Sequence, residues 1–370
     1  MISNLKTPLF SATVLFALVL AGTAIAQDTT MDTGGAFDFY GQVSQGYLGY
    51  DDGEISQSYF PVDNDNSGSR IGVRYENTLG AGWGIGGRFE VGITPNSTSS
   101  VNLNTPVGSG YTIDKTNIRH LEVEFENDLV GNFAFGQGSM ATDGITGIDF
   151  SNTTVVAGVS VKDSAASQLL RSVDGTLSGE IIADYYKNLD GRRLFRVRYD
   201  TPNFNGFMFS VAHGQDVLHD NDGNVYSDLA GRYEGETDTY RFMAGVGVSW
   251  IGETFENLAG SASVLHKSSG LNLTVASGTT KDIGDYNYVK AGVLRDFFDA
   301  GTTAFSLDYY LGADIPADGS SSKSVGLAVV QNFDRQNLQL YATYRRYDTQ
   351  GVAVSYLDSE AFLAGFRYSF

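Results

Sequence analysis

The sequence predicts an all-β fold, a transmembrane antiparallel β-barrel of about sixteen strands, and three observations support this fold class. Most of the chain divides into runs in which apolar and polar residues alternate, which is the period-2 pattern of a β-strand. Short turns and long acidic loops alternate between these runs, as they do in outer-membrane barrels. Aromatic residues cluster at the strand ends, as the interfacial girdles of such barrels do. They are Tyr40, Tyr75, Phe133, Tyr199, Phe333, Tyr344, Tyr347, Tyr368 and Phe370.

The first 26 residues have the pattern of a secretory signal peptide. Lys6 gives a positive start, residues 10–20 are apolar, and Ala24-Ile25-Ala26 forms a small-residue cleavage site. The apolar segment is shorter than the ~20 residues that a transmembrane helix needs. We therefore expect an exported mature chain of residues 27–370. Since no later stretch holds ~18 uninterrupted apolar residues, we expect no helical span in it.

The composition limits what the protein can bind. The chain has 370 residues, a formal net charge of −19 and no cysteine, so it has no disulfide framework and no thiolate metal site. Its 45 Gly and 44 Phe and Tyr residues (23 plus 21), against only 6 Pro, favour strands and turns. The negative charge makes nucleic acid an improbable partner and leaves ions, divalent cations and small polar solutes as candidates.

The alternating runs pair into hairpins along the whole chain. The clearest hairpins span residues 70–94, 120–138, 194–214, 261–278, 288–312 and 325–348. The patterns at 225–233 and 257–268 are weaker. Long polar loops are expected at 51–69, 94–112, 214–227, 313–323 and 348–360. One connection, from residue 139 to about 190, is much longer, and a loop of that length in a compact fold is expected to be functional.

The alternation alone would also fit a β-sandwich, whose charged faces point to water. A barrel is favoured because closure leaves no unpaired edge and pairs every backbone polar group inside a lipid bilayer. The terminal run 362–370 supports this, because its apolar face continues to the last residue of the chain. We expect Phe366, Tyr368 and Phe370 to face lipid, in a last strand that closes on the first strand at 37–50.

Arginines recur on the polar faces of three of these strands. They are Arg70, Arg74, Arg88, Arg196 and Arg198. A charge that faces lipid at mid-depth costs ~2–4 kcal/mol, so the lumen is the expected side for all five. There they either only solvate the wall and pair with Glu76 and Glu90, or form a basic segment of a pore.

These features together resemble the general-diffusion porins of the Gram-negative outer membrane. The resembling segments are the signal peptide, "FDFYGQV" at 37–43, "DLVGNFAFGQ" at 128–137, "RVRYDTPNFNGF" at 196–207 and the terminal strand. The resemblance implies a homotrimer of sixteen-stranded barrels whose third external loop, here about 139–190, folds into the lumen. It also implies that the outer-membrane assembly machinery recognises the last strand, through Phe366, Tyr368 and Phe370. This chain departs from the family in having Gln137 where a basic residue is frequent, and it lacks the acidic loop signature of enteric porins.

The function that this resemblance implies is passive diffusion of ions and small hydrophilic solutes through a water-filled channel, in contact with lipid and lipopolysaccharide. Asp143 and Asp149 of the long loop would oppose the five arginines and set a transverse field across the constriction. The acidic external loops would give a mild cation preference. Two alternatives stay open: a substrate-selective porin with a ligand-binding lumen, and a non-conducting adhesin or structural barrel.

The other motifs in the sequence give weaker evidence of function. "GWGIGG" at 82–87 fits a dinucleotide fingerprint, but another alternating run follows it instead of a helix. Catalysis is not expected of the four histidines, because the adjacent His219 and Asp220 do not form a triad. No cofactor is expected. A structural Ca²⁺ is the one possible exception, and the loop acids that would hold it are Asp51, Asp52, Glu54, Asp63 and Asp65.

Overall fold

The computed structural model describes residues 34–281 and 284–370, so the predicted signal peptide at 1–26 lies outside the described residues. Nineteen strands are found in this part of the chain. They are β1 (Ala36–Asp51), β2 (Ser56–Asp63), β3 (Arg70–Gly80), β4 (Trp83–Gly92), β5 (Ile118–Asn127), β6 (Gly131–Ser139), β7 (Leu169–Arg171), β8 (Leu177–Ile181), β9 (Arg193–Asp200), β10 (Phe207–Gln215), β11 (Val225–Glu236), β12 (Tyr240–Ile251), β13 (Thr254–His266), β14 (Leu271–Thr280), β15 (Gly284–Phe298), β16 (Gly301–Ala313), β17 (Ser321–Phe333), β18 (Leu338–Gln350) and β19 (Ser359–Ser369). A single turn of α-helix, α1, spans Ile182–Tyr185.

Seventeen of these strands form a closed antiparallel barrel with sixteen wall positions, because β2 and β3 share one position, and this confirms the predicted fold class. From β3 onward each wall strand pairs with the next one along the chain, with β6 pairing with β9, and β1 pairs with both β2 and β3. The ring closes between β1 and β19, in a register that runs from Gln42 opposite Ser369 to Asp51 opposite Glu360. The backbone of Phe370 exchanges two further hydrogen bonds with Gly41, so the last residue of the chain takes part in the closure.

The second wall position is built from two strands instead of one. The far half of β1 pairs with β2, and its first half pairs with β3. Residues 64–69 between β2 and β3 form an inward kink that includes a turn of 3₁₀ helix at Asp65–Ser67. The predicted loop at 51–69 is therefore too long, because residues 56–63 form a strand that pairs with β1 and belongs to the wall.

The two faces of the wall differ as a barrel in lipid requires. Large apolar side chains project outward and stay exposed in a band around the barrel, among them Ile71, Leu121, Val197, Leu229, Val246, Leu273, Leu307 and Leu327. Near the short turns, neighbouring strands place aromatic rings together, with ring centroids 4.8 Å apart for Phe37 and Tyr75 and 4.6 Å apart for Phe207 and Tyr233. Exposed apolar bands flanked by aromatic rings are typical of transmembrane barrels. None of the helices within 34–281 and 284–370 is long and apolar enough to cross a membrane.

The connections also differ between the two ends of the barrel. Short turns lie at one end, between β3 and β4, β5 and β6, and the later pairs of strands. The other end carries longer loops, including 93–117, 216–224 and 351–358. The longest is the connection between β6 and β9, residues 140–192, which we call L3. It contains β7, β8 and α1, and its bounds lie close to the predicted 139–190.

Candidate pore constriction

The start of L3 is fixed to the inner face of the barrel. Met140, Ala141 and Ile145 pack in a buried cluster with side chains of β9, β10 and β11, including Leu194. The carboxylate of Asp228 on β11 accepts hydrogen bonds from the backbone amides of residues 141 and 142 and from the Thr142 hydroxyl, at 2.6–3.1 Å. This ties the loop to the wall within three residues of the end of β6.

The rest of L3 fills one side of the lumen with a packed core. Apolar residues of its segment 155–186 bury themselves against tyrosines on the inner faces of β15 to β18, including Tyr286, Tyr310 and Tyr347. The hydroxyls also contribute: Tyr310 donates to the Lys187 carbonyl at 2.7 Å, and Tyr347 donates to the Val161 carbonyl at 2.8 Å. A loop held by a dry core in this way is a rigid part of the barrel interior.

Through β7 and β8, L3 reaches the end of the barrel that carries the long loops, called the loop end below. There the Arg171 guanidinium donates to Asp52 at 2.7 Å, and the backbone of residues 171–173 pairs with the last loop at 355–357. Burial alone would raise the pKa of Asp52. Hydrogen bonds from Arg171 and from the amides of Ile55 and Glu54 outweigh that effect and hold the pKa below its usual range. The acid is thus ionised at neutral pH and joins the first loop to L3.

A polar chamber of about 610 Å³ remains on the opposite side of the lumen. Its walls come from the inward kink at 65–68, from β3, β5, β9 and β14, and from residues 143–163 and 188–191 of L3. The charged side chains that line it are Asp65, Arg70, Arg119, Asp143, Asp149, Lys162, Asp163, Asp190 and Arg193. The arginines belong to the wall and most of the acids belong to L3, so the chamber has a basic side and an acidic side.

Glu90 organises the basic side. Its buried carboxylate accepts hydrogen bonds from Arg88 at 2.7 Å, from Arg119 at 2.6 Å and from the Tyr40 hydroxyl at 2.7 Å. Arg70 lies 3.8 Å from the same carboxylate. One acid among three arginines leaves the cluster with a net positive charge, so Glu90 spaces the cations without neutralising them.

A β-bulge brings Arg119 to this cluster. By strict alternation Arg119 would share the outward face of β5 with Leu121. The register shifts between Glu90–His120 and Val91–Ile118, which leaves Arg119 as the extra residue. Bulges re-aim a side chain in this way, and here the guanidinium turns inward to Glu90. The period-2 alternation of the sequence places Arg119 on the outward face, so the sequence alone could not predict that it belongs to the lumen.

The five predicted arginines are all directed inward, but only Arg70 lines the chamber. Arg74 lies over the Tyr40 ring at 4.1 Å, nearer the short turns, and Arg88 is held by Glu90. Arg196 pairs with Glu122, and Arg198 pairs with Asp200 and donates to the Met140 carbonyl. Among the described residues the predicted partner Glu76 forms no ion pair with any of the five, whereas Glu90 pairs with Arg70 and Arg88. Their role in a constriction stays a prediction.

The two predicted loop acids also differ from each other. Asp143 lines the chamber, accepts a hydrogen bond from Ser139 at 2.6 Å and lies 3.6 Å from the Arg193 guanidinium. Asp149 borders the chamber, but its carboxylate is almost fully buried and forms an ion pair with Lys290 at 2.5 Å. Its charge is therefore largely cancelled, and Asp149 is a weaker source of a transverse field than Asp143.

Three further acids line the chamber: Asp65 was predicted only as a cation ligand, and Asp163 and Asp190 were not predicted. Burial raises the pKa of Asp190, despite hydrogen bonds from the amides of Thr146 and Gly144. Burial, with the nearby charge of Asp65, raises the pKa of Asp163 to about 7. A carboxyl group with a raised pKa loses its charge more readily as the pH falls, which weakens the acidic side, whereas arginine stays charged.

The acids proposed to hold a divalent cation do not form one cluster. Asp51 and Asp52 lie beside the loop end of the wall, whereas Asp63 and Asp65 lie at the far end of the eight-residue strand β2. Asp63 accepts hydrogen bonds from the Ser69 amide at 2.9 Å and from Gln45 at 2.7 Å. Across the described ranges no group of three or more His, Asp or Glu side chains is arranged to hold a metal ion.

Comparison with known proteins gives a family and several similar folds. A family model described as Gram-negative porin matches residues 11–352. An anion-selective porin from Comamonas acidovorans has 16% identity and a TM-score of 0.59, covering 91% of this chain and 100% of that chain. The trimer form of Vibrio cholerae OmpT has 15% identity and a TM-score of 0.55, with 91% and 100% covered. Salmonella typhi OmpF, in complex with daunomycin, has 14% identity and a TM-score of 0.56, with 92% and 99% covered. No curated protein sequence matches the chain.

Proposed function

The chain belongs to the Gram-negative porin family, and from that premise we propose that the polar chamber is the narrowest part of its diffusion path. A porin is a diffusion channel of the outer membrane, and the closed sixteen-strand barrel described above is such a channel. The observation that carries the proposal is the position of the chamber, between the basic inner wall and L3. Passage is passive, and the solutes are ions and small hydrophilic molecules.

The physical argument rests on what the chamber offers to a solute. Sixteen strands enclose an aqueous lumen, and the core of L3 fills only one side of it. Opposed charges across the remaining space orient water, so an apolar solute must displace ordered water without replacing its hydrogen bonds. Small polar solutes replace those bonds and pass.

The test is single-channel recording of the purified protein in a planar bilayer. We expect discrete steps of conductance that rise in proportion to KCl concentration, because the path is water-filled. A protein that inserts as a folded barrel and carries no current would support the non-conducting structural barrel instead. The same preparation after thermal unfolding is the control, since its activity must disappear.

A substrate-selective porin is the second candidate, and one observation favours it. Three cationic side chains that border the chamber, those of Arg70, Arg193 and Lys162, donate no hydrogen bond within the described part of the chain, although Arg70 and Arg193 lie 3.8 and 3.6 Å from a carboxylate. The acids opposite them mostly accept bonds from nearby hydroxyls and amides. The chamber therefore has cationic hydrogen-bond donors without acceptors, and such donors suit a solute that carries carboxylate or phosphate groups. Saturable block of the current by a dicarboxylate, with no block by an uncharged sugar of similar size, would favour this candidate.

The assembly and its surroundings are also proposed by analogy. The trimer form of a structurally similar outer-membrane protein supports a homotrimer for this chain. The exposed apolar band supports contact with outer-membrane lipid and lipopolysaccharide. We propose that the channel uses no cofactor and performs no catalysis. A Ca²⁺ between the loop acids remains a prediction that the separation of those acids does not favour.

The last strand is proposed to be the segment that the assembly machinery recognises. Phe366 and Phe370 project outward and are each 39% exposed, and the Tyr368 and Phe370 rings lie 6.1 Å apart. Replacing Phe370 with Ser should sharply lower the level of folded barrel in the outer membrane while export continues, which immunoblots of membrane fractions would measure. Phe362→Ser, on the same face at the other end of β19, is the matched control and should have a smaller effect. Normal accumulation of the Phe370 variant would contradict this role.

A further inference from the structure

One lysine of the barrel wall is enclosed by L3. Lys290 lies on the inner face of β15 and is fully buried. Its ammonium group donates to the Asp149 carboxylate at 2.5 Å, to the Ala157 carbonyl at 2.5 Å and to the Ser151 hydroxyl at 3.1 Å. A fourth contact, to the Thr153 hydroxyl, is longer at 3.4 Å. All four acceptors come from nine consecutive residues of L3, so the loop is wrapped around a single charged group of the wall.

Neighbouring contacts complete this arrangement. Asp149 also accepts hydrogen bonds from the Thr274 hydroxyl at 3.3 Å and from the Ser151 amide at 2.6 Å. The Thr153 hydroxyl is within 2.8 Å of the Ser306 hydroxyl on β16. The Phe150 amide donates to the Ser263 hydroxyl on β13 at 3.1 Å. The segment 149–157 is therefore bound to four wall strands, β13 to β16, and Lys290 makes four of its contacts.

The position of this segment links it to the chamber. Ile148, Asp149 and Thr154 border the chamber, and Lys290 lies behind them, on the side of the wall. If the segment moved away from β15, it would move across the open side of the lumen. The width of the chamber therefore depends on a contact that no solute touches.

We propose that Lys290 is a positioning residue that holds the middle of L3 against the wall and thereby sets the width and steadiness of the passage. The physical reason is the cost of a buried unpaired charge: each of the two groups is almost fully buried, and each is the only opposite charge that the other contacts in the described part of the chain. The effect on current rests on the proposed function, but the effect on the loop does not.

The wall provides a matched control. Arg345 on β18 and Asp308 on β16 form an equally buried ion pair, at 2.7 and 2.8 Å, which Ser324 completes at 3.0 Å. All three residues belong to the wall and none to L3. Loss of this pair removes as much buried charge without releasing the loop.

The experiment compares Lys290→Met with Arg345→Met in folded, full-length protein. Because the chain has no cysteine, a single Thr154→Cys substitution places a spin label on L3 beside the chamber. We expect Lys290→Met to increase the mobility of the label and to raise both the mean conductance and the current noise at least twofold. Arg345→Met should change none of these.

A second variant removes the risk that Lys290→Met fails to fold because Asp149 is left unpaired. Lys290→Met with Asp149→Leu deletes both charges, and the label should again become mobile because the enclosing contacts are gone. An unchanged label in either folded variant, or an equal gain of mobility in Arg345→Met, overturns the proposal. If the parent protein carries no current, the proposed channel function fails, and the mobility of the label alone decides the role of Lys290.

Discussion

Deleting residues 145–175 and bridging the gap with a short Gly-Ser linker should increase the single-channel conductance roughly twofold or more, because a sixteen-strand barrel without an inserted loop leaves a wide aqueous lumen. The deleted segment supplies most of the apolar residues that pack against the wall tyrosines and most of the L3 side chains that border the chamber. Planar-bilayer recording in KCl measures the change. The ion selectivity should fall at the same time, since the passing ions lie farther from the arginines.

The control for this deletion is a shortening of the loop at 216–224 with the same linker, since this loop lies at the same end of the barrel and does not border the chamber. Its conductance should match that of the parent protein. Both variants must migrate as heat-modifiable folded barrels, because the deletion exposes tyrosines such as Tyr310 and Tyr347 to lumen water. A folded L3 deletion with the parent conductance would show that the narrow part of the path lies elsewhere.

The positions of most strands, and which of their side chains point outward, could be predicted from the sequence because one face of each wall strand meets lipid. The alternation of Leu121, Val123 and Phe125 with Glu122 and Glu124 is imposed by that contact, and it survives in the structure. The same constraint explains why the last strand closes on the first with Phe370 included. The period-2 alternation can be recognised without knowledge of the rest of the fold, because contact with lipid constrains each outward residue separately.

The chamber could be predicted only in part, because its residues are placed by local exceptions and by long-range contacts. Arg119 reaches the lumen through a bulge, and strict period-2 counting gives it the opposite face. Asp65 belongs to the inward kink of a wall strand that the sequence pattern shows only as a polar stretch. Asp149 was expected to face water, but it is paired with a lysine 141 residues later in the chain. No local signal carries such a pairing.

The second large effect concerns the charge of the chamber. Arg70, Arg119 and Arg193 line it from three wall strands, and replacing all three with Gln removes three positive charges while keeping much of the side-chain volume. A unit charge about 7 Å from an ion contributes about 0.6 kcal/mol in bulk water, so three contribute about 2 kcal/mol, more than tenfold in local ion concentration. Screening in about 0.1 M salt, where the Debye length is about 10 Å, leaves about fivefold.

The reversal potential of the triple variant in a KCl gradient should therefore move toward the potassium value, most strongly at low salt. The acidic external loops act in the same direction, and in the parent protein the arginines oppose them.

Arg70→Gln and Arg74→Gln form a matched pair of single variants, since both residues share the inner face of β3 and only Arg70 borders the chamber. Arg70→Gln should shift the potential measurably and Arg74→Gln should shift it less. Equal shifts would mean that the field of the whole wall, and not the chamber, determines selectivity. No shift in the folded triple variant would place the three arginines outside the ion path, because a charge within a Debye length of a permeating ion must alter the ion's energy.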